Sequence, residues 1–350
     1  MNPVRLGIIG CGVIGSNHIR SAKEVPELID LVAISDLREE VLKDTAEKNE
    51  IPKTFTEGDA LLDDDEIEAV TLAMPAHLRT ALGLKAFANG KHVLTEKPVA
   101  MNASEVQQLI DARGELVGAC CSSRMRFSRA ADAVTEIIRC GELGPIRSVH
   151  CRAAFPAQSK PEAPPPAWRL NRSLNGGGIL MNWGCYDLDY LLGLCDWQLE
   201  PQKVFAQTWP VAPHLEGNVA PGSDAETHYN ALIRCKGGTV LSLERGEHMA
   251  LDGEGSWQIV GTRGSLRLLM TGRNQTVWHD RADAAEGLQS VKIYDAEEES
   301  GYQLRGPVQD FCVAIRESRA PKTTLEQALV VQKISDGIYK SAESGEAVEI

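Results

Sequence analysis

The first 36 residues carry the feature that most limits how this chain can fold. A short apolar run over residues 4–9 leads directly into the glycine-rich segment Gly10-Cys-Gly12-Val-Ile-Gly15. A helical pattern follows, and Asp36 ends the next apolar run, about 20 residues after the last of these glycines. A strand, a glycine loop, a helix and a later acidic residue form the context of a dinucleotide-binding loop. The alternative is an ordinary tight strand–helix turn that binds no nucleotide.

Each glycine of this segment has a physical role in such a loop. Gly10 permits a tight turn, Gly12 lets the backbone approach a pyrophosphate, and Gly15 lets the helix pack closely on the strand. Val13 and Ile14 open the helix, where backbone N–H groups would face the phosphates. We therefore expect these five positions to contact a dinucleotide.

Length, charge and cysteine usage restrict the class of protein. A chain of 350 residues predicts two domains. The net charge of −13 argues against a nucleic acid partner, and no apolar run approaches the roughly 20 residues that span a bilayer. The start of the sequence resembles a strand rather than a secretion signal, and the nine cysteines lack paired spacing. We expect a cytoplasmic protein with reduced cysteines, no membrane contact and no metal site.

Residues 1–123 alternate between strand and helix patterns, which predicts a Rossmann-type, doubly wound parallel sheet. Ligands of such sheets bind outside the carboxyl ends of the strands. Ser104, with Gln107 three residues later, predicts the start of one of the helices.

Residues 124–350 have longer alternating stretches with turn residues between them, which predicts an α/β domain with a large, mostly antiparallel open sheet. A final helix is expected at about 324–341, where Thr323 and Glu326 fit a capping box. This helix is expected to pack back on the first domain.

A lysine follows one strand of the first domain, at the edge where a ligand would bind. The strand His92–Leu94 leads into Thr95-Glu96-Lys97-Pro98. Lys97 in that position could polarise a hydroxyl or carbonyl group, or lower the pKa of a neighbouring acid. A surface lysine in a turn is the alternative.

The chain resembles the Gfo/Idh/MocA oxidoreductase family over essentially its whole length. The resemblance lies in nine segments, in this order: Gly10–Gly15, Pro75-Ala-His77, Gly90–Pro98, Arg126-Phe127, Gly141–Gly144, Trp168-Arg169, Gly176–Leu180, Gly261–Gly264 and Tyr339–Gly345. It implies a Rossmann domain followed by an α/β domain whose open sheet commonly mediates oligomers. The activity it implies is NAD(P)-dependent oxidation or reduction of sugars, cyclitols and related polyols.

The chain departs from the family pattern at the positions that usually perform acid–base chemistry. Where the family writes G-G-x-L-x-D-x-G-x-H-x-x-D, this sequence has Gly177-Gly-Ile-Leu-Met-Asn182-Trp-Gly184-Cys-Tyr186-Asp-Leu-Asp189. The usual Asp is Asn182 and the usual catalytic His is Tyr186; some family members also use Tyr there. A spacing of four predicts that Asn182 and Tyr186 share one face of a helix.

These residues lead to a mechanistic hypothesis. Tyr186 moves the proton of a substrate hydroxyl, Lys97 orients that hydroxyl and lowers the pKa of the tyrosine, and Asn182 hydrogen-bonds the substrate. The alternative is that Tyr186 and Asn182 are helix residues that pack beneath an inert site.

The cofactor prediction depends on the acidic residue after the second strand. Asp36 would hydrogen-bond an adenosine ribose and repel a 2′-phosphate, which favours NAD, while the nearby Arg38 leaves NADP possible. The resemblance adds Ala73, Pro75, His77, Glu96, Lys97, Trp168 and Arg169 to the cofactor contacts. Candidate substrate contacts are Arg126, Trp168, Arg172, Asn182 and Tyr186.

Three functions remain open from the sequence. The first is a sugar, glycoside or cyclitol dehydrogenase. The second is a glycoside-cleaving enzyme that uses tightly bound NAD in a transient redox cycle, and the third is a non-catalytic nucleotide-binding sensor. We expect a small-molecule polyol or sugar substrate and a homodimer or homotetramer.

Overall fold

The structure is a computed structural model that describes residues 2–163, 165–253 and 255–350. The chain divides into two compact units. The first contains the residues up to Arg124 together with Gly301–Val330, and the second contains Met125–Ser300 with Val331–Ile350. No helix in the described ranges has the length and apolar character needed to cross a membrane.

The first unit is built on a six-stranded parallel sheet in the order β3-β2-β1-β4-β5-β6. Its strands are β1 (Val4–Ile9), β2 (Ile29–Ser35), β3 (Lys53–Phe55), β4 (Ala69–Leu72), β5 (His92–Thr95) and β6 (Gly118–Cys120). Its helices are α1 (Val13–Lys23), α2 (Glu39–Asn49), α3 (Gly58–Leu62), α4 (Ala76–Ala88), α5 (Ala103–Arg113), α9 (Tyr302–Glu317) and the start of α10 (Leu325–Ser344). This is the predicted doubly wound Rossmann sheet.

Both faces of this sheet are buried by helices, which explains why its strands are continuous apolar runs. On one face, side chains of α1 and α9 such as Ile19 and Phe311 pack with Leu6 and Ile8 of β1. On the other face, α3, α4, α5 and the start of α10 cover the sheet. The carboxyl ends of β1, β2, β4 and β5 stay available to the loops that carry the predicted site.

The second unit is built on a nine-stranded sheet in the order β14-β13-β12-β11-β7-β10-β9-β8-β15, in which only the β7–β10 pair is parallel. The strands are β7 (Ile146–Pro156), β8 (Pro201–Trp209), β9 (His228–Cys235), β10 (Val240–Met249), β11 (Gly255–Gly261), β12 (Gly264–Leu268), β13 (Asn274–Asp283), β14 (Gly287–Glu297) and β15 (Val348–Glu349). The helices are α6 (Arg129–Arg139), α7 (Arg172–Asn175), α8 (Cys185–Leu194) and the end of α10. The predicted large, mostly antiparallel sheet is confirmed.

Alternation along the strands separates a buried face from an outer face. In β9, Tyr229, Ala231 and Ile233 are buried while their neighbours are exposed or half-buried. Phe205 of β8 pairs with Leu232 of β9 on the outer face, and both side chains are about half exposed.

The division of the chain differs from the prediction chiefly in one segment. The prediction placed residues 124–350 in the second domain, with the last helix packed back on the first. Arg124 and Gly301–Val330 belong to the first unit, so the start of α10 is there as expected and α9 is there in addition. The physical reason is that Val308 and Phe311 of α9 are fully buried in the core of the parallel sheet. Gly306 and Pro307 lie inside α9, and such residues normally indicate a turn, so the sequence pattern concealed this helix.

Two predicted helix starts are off by one or two residues. Asn102, not Ser104, caps α5, because its side chain accepts a hydrogen bond from the Glu105 backbone N–H. The capping box of α10 is Thr324 with Gln327, one residue beyond the predicted pair. In both cases a neighbouring residue of suitable chemistry takes the cap.

Candidate functional site

The glycine loop between β1 and α1 has the shape that a dinucleotide needs. Gly10 has a φ of +101°, and a Cβ there would lie 2.6 Å from the carbonyl oxygen of Ala73. A Cβ on Gly15 would lie 1.8 Å from the carbonyl oxygen of Gly10, whereas a Cβ on Gly12 would meet no atom within 4 Å. Gly10 and Gly15 are therefore required by the protein's own packing, and Gly12 faces open space.

The start of α1 is suited to a phosphate. Gly12 at its N-cap provides no side-chain hydrogen bond to the first turn, and the Val13 side chain is 88% exposed. The uncapped N–H groups and the positive end of the helix dipole can thus meet an anion. The residues present fit a dinucleotide pyrophosphate at this turn.

Asp36 is held in a fixed orientation beside the glycine loop. Its Oδ2 accepts a hydrogen bond from the Cys11 backbone N–H at 2.8 Å, and Arg38 Nε and Nη2 donate to its two oxygens at 2.9 Å each. Burial would raise the pKa of Asp36, but the hydrogen bonds from Arg38 and Cys11 outweigh this effect and lower it. Asp36 is therefore an ionised acceptor at neutral pH, as binding of a ribose hydroxyl requires.

The other predicted cofactor residues of the first unit lie at the carboxyl ends of neighbouring strands. The Ala73 backbone N–H donates to the Ile9 carbonyl at 2.8 Å, and the Glu96 backbone N–H donates to the Leu72 carbonyl at 3.1 Å. Pro75 caps α4 and His77 is exposed in its first turn. Strand pairing thus brings the loops after β1, β4 and β5 to one edge of the sheet.

Arg79 joins two of these loops, and sequence reasoning missed it. Its Nε donates to the Met74 carbonyl at 2.8 Å, and its Nη1 donates to the Glu96 carbonyl at 2.8 Å and also to the carbonyl of Pro98. Arg79 is buried in the first turns of α4. One guanidinium therefore fixes the backbone on both sides of Lys97.

Glu96 is a buried carboxylate at the centre of this edge. Its Oε1 accepts from Arg124 Nη2 and lies 2.7 Å from His18 Nε2, while its Oε2 accepts from the Lys97 backbone N–H at 3.2 Å. Burial would raise the pKa of Glu96, but the charge of Arg124 and the hydrogen bond from His18 outweigh it, so the pKa lies well below its ordinary value. The ionised carboxylate positions Lys97, which is half-buried and precedes a cis proline.

His18, Glu96 and Cys121 place three potential metal-binding atoms within 4.8 Å of one another. The Arg124 guanidinium already provides the cation that Glu96 needs. Burial raises the pKa of the Cys121 thiol well above its ordinary value, so this group does not supply a thiolate. The cluster is therefore organised around an ion pair, and its donor set does not favour a metal ion.

In the second unit, Asn182 and Tyr186 belong to one continuous helical segment. Asn182 lies in a π-helical turn, Leu180–Gly184, which continues into α8 with Tyr186 in its first turn. The segment is thus helical as predicted, but its first turn is wider than an α-helical turn, so the shared face of Asn182 and Tyr186 stays a prediction. π-Helical turns of this kind are common at functional sites.

Tyr186 is 4% exposed and packs edge-on against the Trp183 ring, with 5.5 Å between ring centroids. The Arg245 guanidinium lies 5.0 Å from the centroid of the same Trp183 ring. Arg245 Nη2 also donates to Asp187 Oδ1 at 2.8 Å, within a fully buried ion pair. Arg245, which is paired with Asp187, thus contacts the same Trp183 ring as Tyr186. Sequence reasoning missed the Arg245–Asp187 pair.

The remaining predicted residues of the second unit are distributed around it. Arg126 is buried, and its Nε donates to Asp189 at 2.7 Å. Trp168 is 42% exposed in a short 3-10 turn, Ala167–Leu170, and Arg169 forms an ion pair with Glu247. The Arg172 guanidinium lies 5.7 Å from the Tyr339 ring centroid. Their roles toward cofactor or substrate stay predictions.

A glycine loop that fits a pyrophosphate and a fixed carboxylate beside it are the features of a dinucleotide-binding protein of the Rossmann class. Residues 4–119 match the family model for the NAD-binding Rossmann fold of the Gfo/Idh/MocA oxidoreductases, and residues 132–267 match the model for the C-terminal domain of that family. The chain belongs to the Gfo/Idh/MocA family and is an NAD(P)-dependent oxidoreductase.

Individual relatives agree with this placement. The chain is 27% identical to an uncharacterised oxidoreductase of Rhizobium meliloti, over 99% of this chain and 98% of that protein. It is 25% identical to a myo-inositol 2-dehydrogenase of Thermotoga maritima, over 75% and 74% of the two chains. Among solved structures, a levoglucosan dehydrogenase in complex with NADH and L-sorbose has the same fold, with a TM-score of 0.86, 21% identity and coverage of 100% and 99%.

Replacing Glu96 tests the ion pair at the carboxyl edge. Glu96→Gln leaves the buried Arg124 without its counter-charge, so we expect a loss of about 3–5 kcal/mol in the free energy of unfolding at pH 7. Because folding lowers the pKa of Glu96 below 4.5, this contribution is complete above pH 4.5 and declines as the pH falls. The difference between wild type and variant should therefore narrow below pH 4.5 in chemical denaturation.

Glu326→Gln is the matched control for that experiment. Glu326 pairs with Arg113 in the same unit, but its side chain is 50% exposed, so its removal should cost about 0–1 kcal/mol. Equal losses in the free energy of unfolding for the two variants would contradict the role of Glu96 as the counter-charge of buried Arg124.

Replacing Asp36 tests its predicted role as the acceptor of a ribose hydroxyl. Asp36→Ala should weaken NAD binding about 10-fold or more and reduce the preference of NAD over NADP, because a charged hydrogen bond is lost and a repulsive charge is removed. Asp30→Ala, at the opposite end of β2, should leave both affinities unchanged. Calorimetric titration measures them, and a wild-type preference for NADP would overturn the assignment of Asp36.

Proposed function

We propose that the chain oxidises a hydroxyl group of a sugar, glycoside or cyclitol, or reduces the corresponding ketone, with net turnover of NAD. The observation that carries this proposal is the combination of a dinucleotide loop with a lysine whose backbone is fixed by Glu96 and Arg79. The myo-inositol and levoglucosan dehydrogenases named above support the substrate class. A site that only bound nucleotide would not need a positioned lysine.

In the proposed mechanism, the cofactor serves hydride transfer and side chains of the protein serve proton transfer. A nicotinamide held at the glycine loop and Asp36 would supply the hydride acceptor or donor for the carbon that carries the hydroxyl. Tyr186 takes the hydroxyl proton in oxidation and returns it in reduction, and Lys97 orients the hydroxyl and favours the phenolate of Tyr186 through its positive charge. Asn182 hydrogen-bonds the substrate and, being neutral, does not act as a base.

The burial of Tyr186 bears on its proposed role as a base. Removal of a phenol from water disfavours its charged form, so a buried tyrosine acts as a base near neutral pH only beside a cation. Arg245 is held by Asp187, which neutralises it within the second unit. The proposal therefore assigns the activating charge to Lys97.

The two alternative functions predict different outcomes of one experiment. A dehydrogenase forms NADH in proportion to product, whereas a glycoside-cleaving enzyme with tightly bound NAD forms product without accumulating NADH. A sensor binds ligand and forms no product. Myo-inositol, levoglucosan and a panel of sugars and glycosides should be screened with NAD while NADH absorbance and product are both followed. We expect NADH with at least one polyol.

Single-turnover hydride transfer with the polyol found in that screen tests the residue roles. Tyr186→Phe should slow it by about 100-fold or more, since general acid–base catalysis contributes that much, and Lys97→Ala should slow it comparably. Tyr190→Phe is the control one turn along α8, where the hydroxyl donates to the Leu269 carbonyl. Unchanged transfer in both Tyr186→Phe and Lys97→Ala would overturn the mechanism.

We further propose that the protein works in the cytoplasm as a homodimer or homotetramer through the outer face of the nine-stranded sheet. Phe205 and Leu232 form an exposed apolar cross-strand pair there, at 54% and 52% exposure. Light scattering should give a mass of two or four chains of 38.1 kDa, and Leu232→Lys should lower it. Leu78→Lys, at an exposed apolar position on α4 and outside this sheet, is the control. A wild-type monomer would refute this part of the proposal.

A further inference from the structure

The triple glycine Gly176–Gly178 has a structural purpose that the proposed mechanism does not use. A Cβ on Gly177 would lie 1.9 Å from the hydroxyl oxygen of Tyr339, and a Cβ on Gly178 would lie 1.9 Å from the backbone oxygen of Glu226. Glycine is therefore required at both positions, because two other segments of the second unit come into direct contact with this backbone.

Glu226 is the centre of that contact. Its side chain is 2% exposed, and its oxygens accept from the Gly178 backbone N–H at 3.1 and 3.0 Å and from the Leu180 backbone N–H at 3.0 Å. The Ile179 backbone N–H donates to the Glu226 carbonyl at 2.9 Å. One glutamate thus binds three consecutive backbone N–H groups.

Tyr339 completes the arrangement from α10. Its hydroxyl donates to Glu226 Oε1 at 2.9 Å. Burial raises the pKa of Tyr339 well above its ordinary value, so the hydroxyl keeps its proton and remains a donor. Burial also raises the pKa of Glu226.

The anchored residues lead directly into the segment of Asn182 and Tyr186. Leu180 begins the π-helical turn, and the Asn182 backbone N–H donates to the Gly178 carbonyl at 2.9 Å. Glu226 thus binds the N–H groups at the start of a helical segment. A carboxylate at this end is also stabilised by the positive end of the helix dipole. A shift of Gly178 would be transmitted to Asn182 through one hydrogen bond.

We propose that Glu226 and Tyr339 are positioning residues: they fix the turn that presents Asn182 and Tyr186 to the substrate. This inference rests on the proposed function, because it assigns to the turn the acid–base role stated there. A displacement of about 1 Å in a reacting group can slow a reaction about 100-fold, so the anchor is expected to affect catalysis more than binding.

The second unit contains a closely matched control. Glu298 is also buried, accepts from the Ala130 and Arg129 backbone N–H groups at 3.0 and 3.1 Å, and receives the Tyr294 hydroxyl at 2.8 Å. It therefore anchors the start of α6 through backbone N–H groups and a tyrosine hydroxyl, as Glu226 does, and it also lies 3.8 Å from Arg129 Nε. Glu298→Ala and Tyr294→Phe remove equivalent hydrogen bonds from a helix that carries none of the proposed catalytic residues.

Hydrogen exchange on the protein without ligand tests the anchor itself. Glu226→Ala should raise the exchange rate of amides 178–180 by about 10-fold or more, and Tyr339→Phe by a smaller factor, since lost hydrogen bonds promote local opening. Glu298→Ala should instead raise exchange at 129–132. Rates at 178–180 within twofold of wild type in both Glu226→Ala and Tyr339→Phe would overturn the proposal. If Glu226→Ala does not fold, the exchange rates of Tyr339→Phe alone decide the test.

Steady-state kinetics with the polyol found in the screen tests the effect on the reaction. We expect kcat to fall about 10-fold or more in Glu226→Ala, with KM and the Kd of NADH within about threefold of wild type, and Glu226→Gln to recover part of the loss. Glu298→Ala should keep kcat within twofold. Raised exchange without a change in kcat, or an equal fall in Glu298→Ala, would refute the positioning role. If wild type reduces NAD with no polyol, the proposed function fails, while the exchange result still decides the anchor.

Discussion

The ion pair and hydrogen bonds of Glu96 hold together the edge of the first unit at which the cofactor is predicted to bind. A carboxylate with 2% exposure must be compensated, and here Arg124, His18 and the Lys97 backbone N–H share that task. These partners come from α1, from the loop after β5 and from the 3-10 segment Cys121–Phe127 that follows β6. The charge balance of one side chain thus fixes the relative positions of three segments that carry the predicted site.

Three other carboxylates of the chain fix neighbouring groups in the same way. Asp36 accepts from the glycine loop and from Arg38, Asp187 holds Arg245 beside Trp183, and Glu226 binds the start of the Asn182–Tyr186 turn. The hydrogen-bond donors and cations that stabilise each of these carboxylates lie in the same unit as the carboxylate. Buried charges that are removed from water hold their partners in defined geometry, and this favours preorganised loops over flexible ones.

The sequence predicted the parts of the structure that depend on local patterns. The glycine loop, the parallel sheet and the large, mostly antiparallel sheet were found because glycine spacing and strand alternation are local signals. Helix α9 was missed because its Gly306-Pro307 pair resembles a turn, and its burial comes from packing on distant β1. The polar strand β14 was missed because most of its side chains are exposed, so its alternation is weak.

The site residues divide in the same way. Lys97, Tyr186 and Asp36 are proposed from motifs, whereas Arg79, Glu226 and Arg245 were found through their contacts with segments far away in sequence. The triple glycine indicates that another segment approaches Gly178, but it does not show that this segment carries Glu226. No local pattern marks the contacts of Arg79 and Arg245.

The central claim is that this oxidoreductase transfers a hydride from a polyol to NAD with net turnover. The most direct test uses a polyol deuterated at the carbon that carries the reacting hydroxyl, with mass spectrometry of the cofactor after one turnover. The account predicts reduced cofactor that carries one deuterium and is absent without enzyme. Product formation with unlabelled, oxidised cofactor would contradict it and would favour the transient redox cycle.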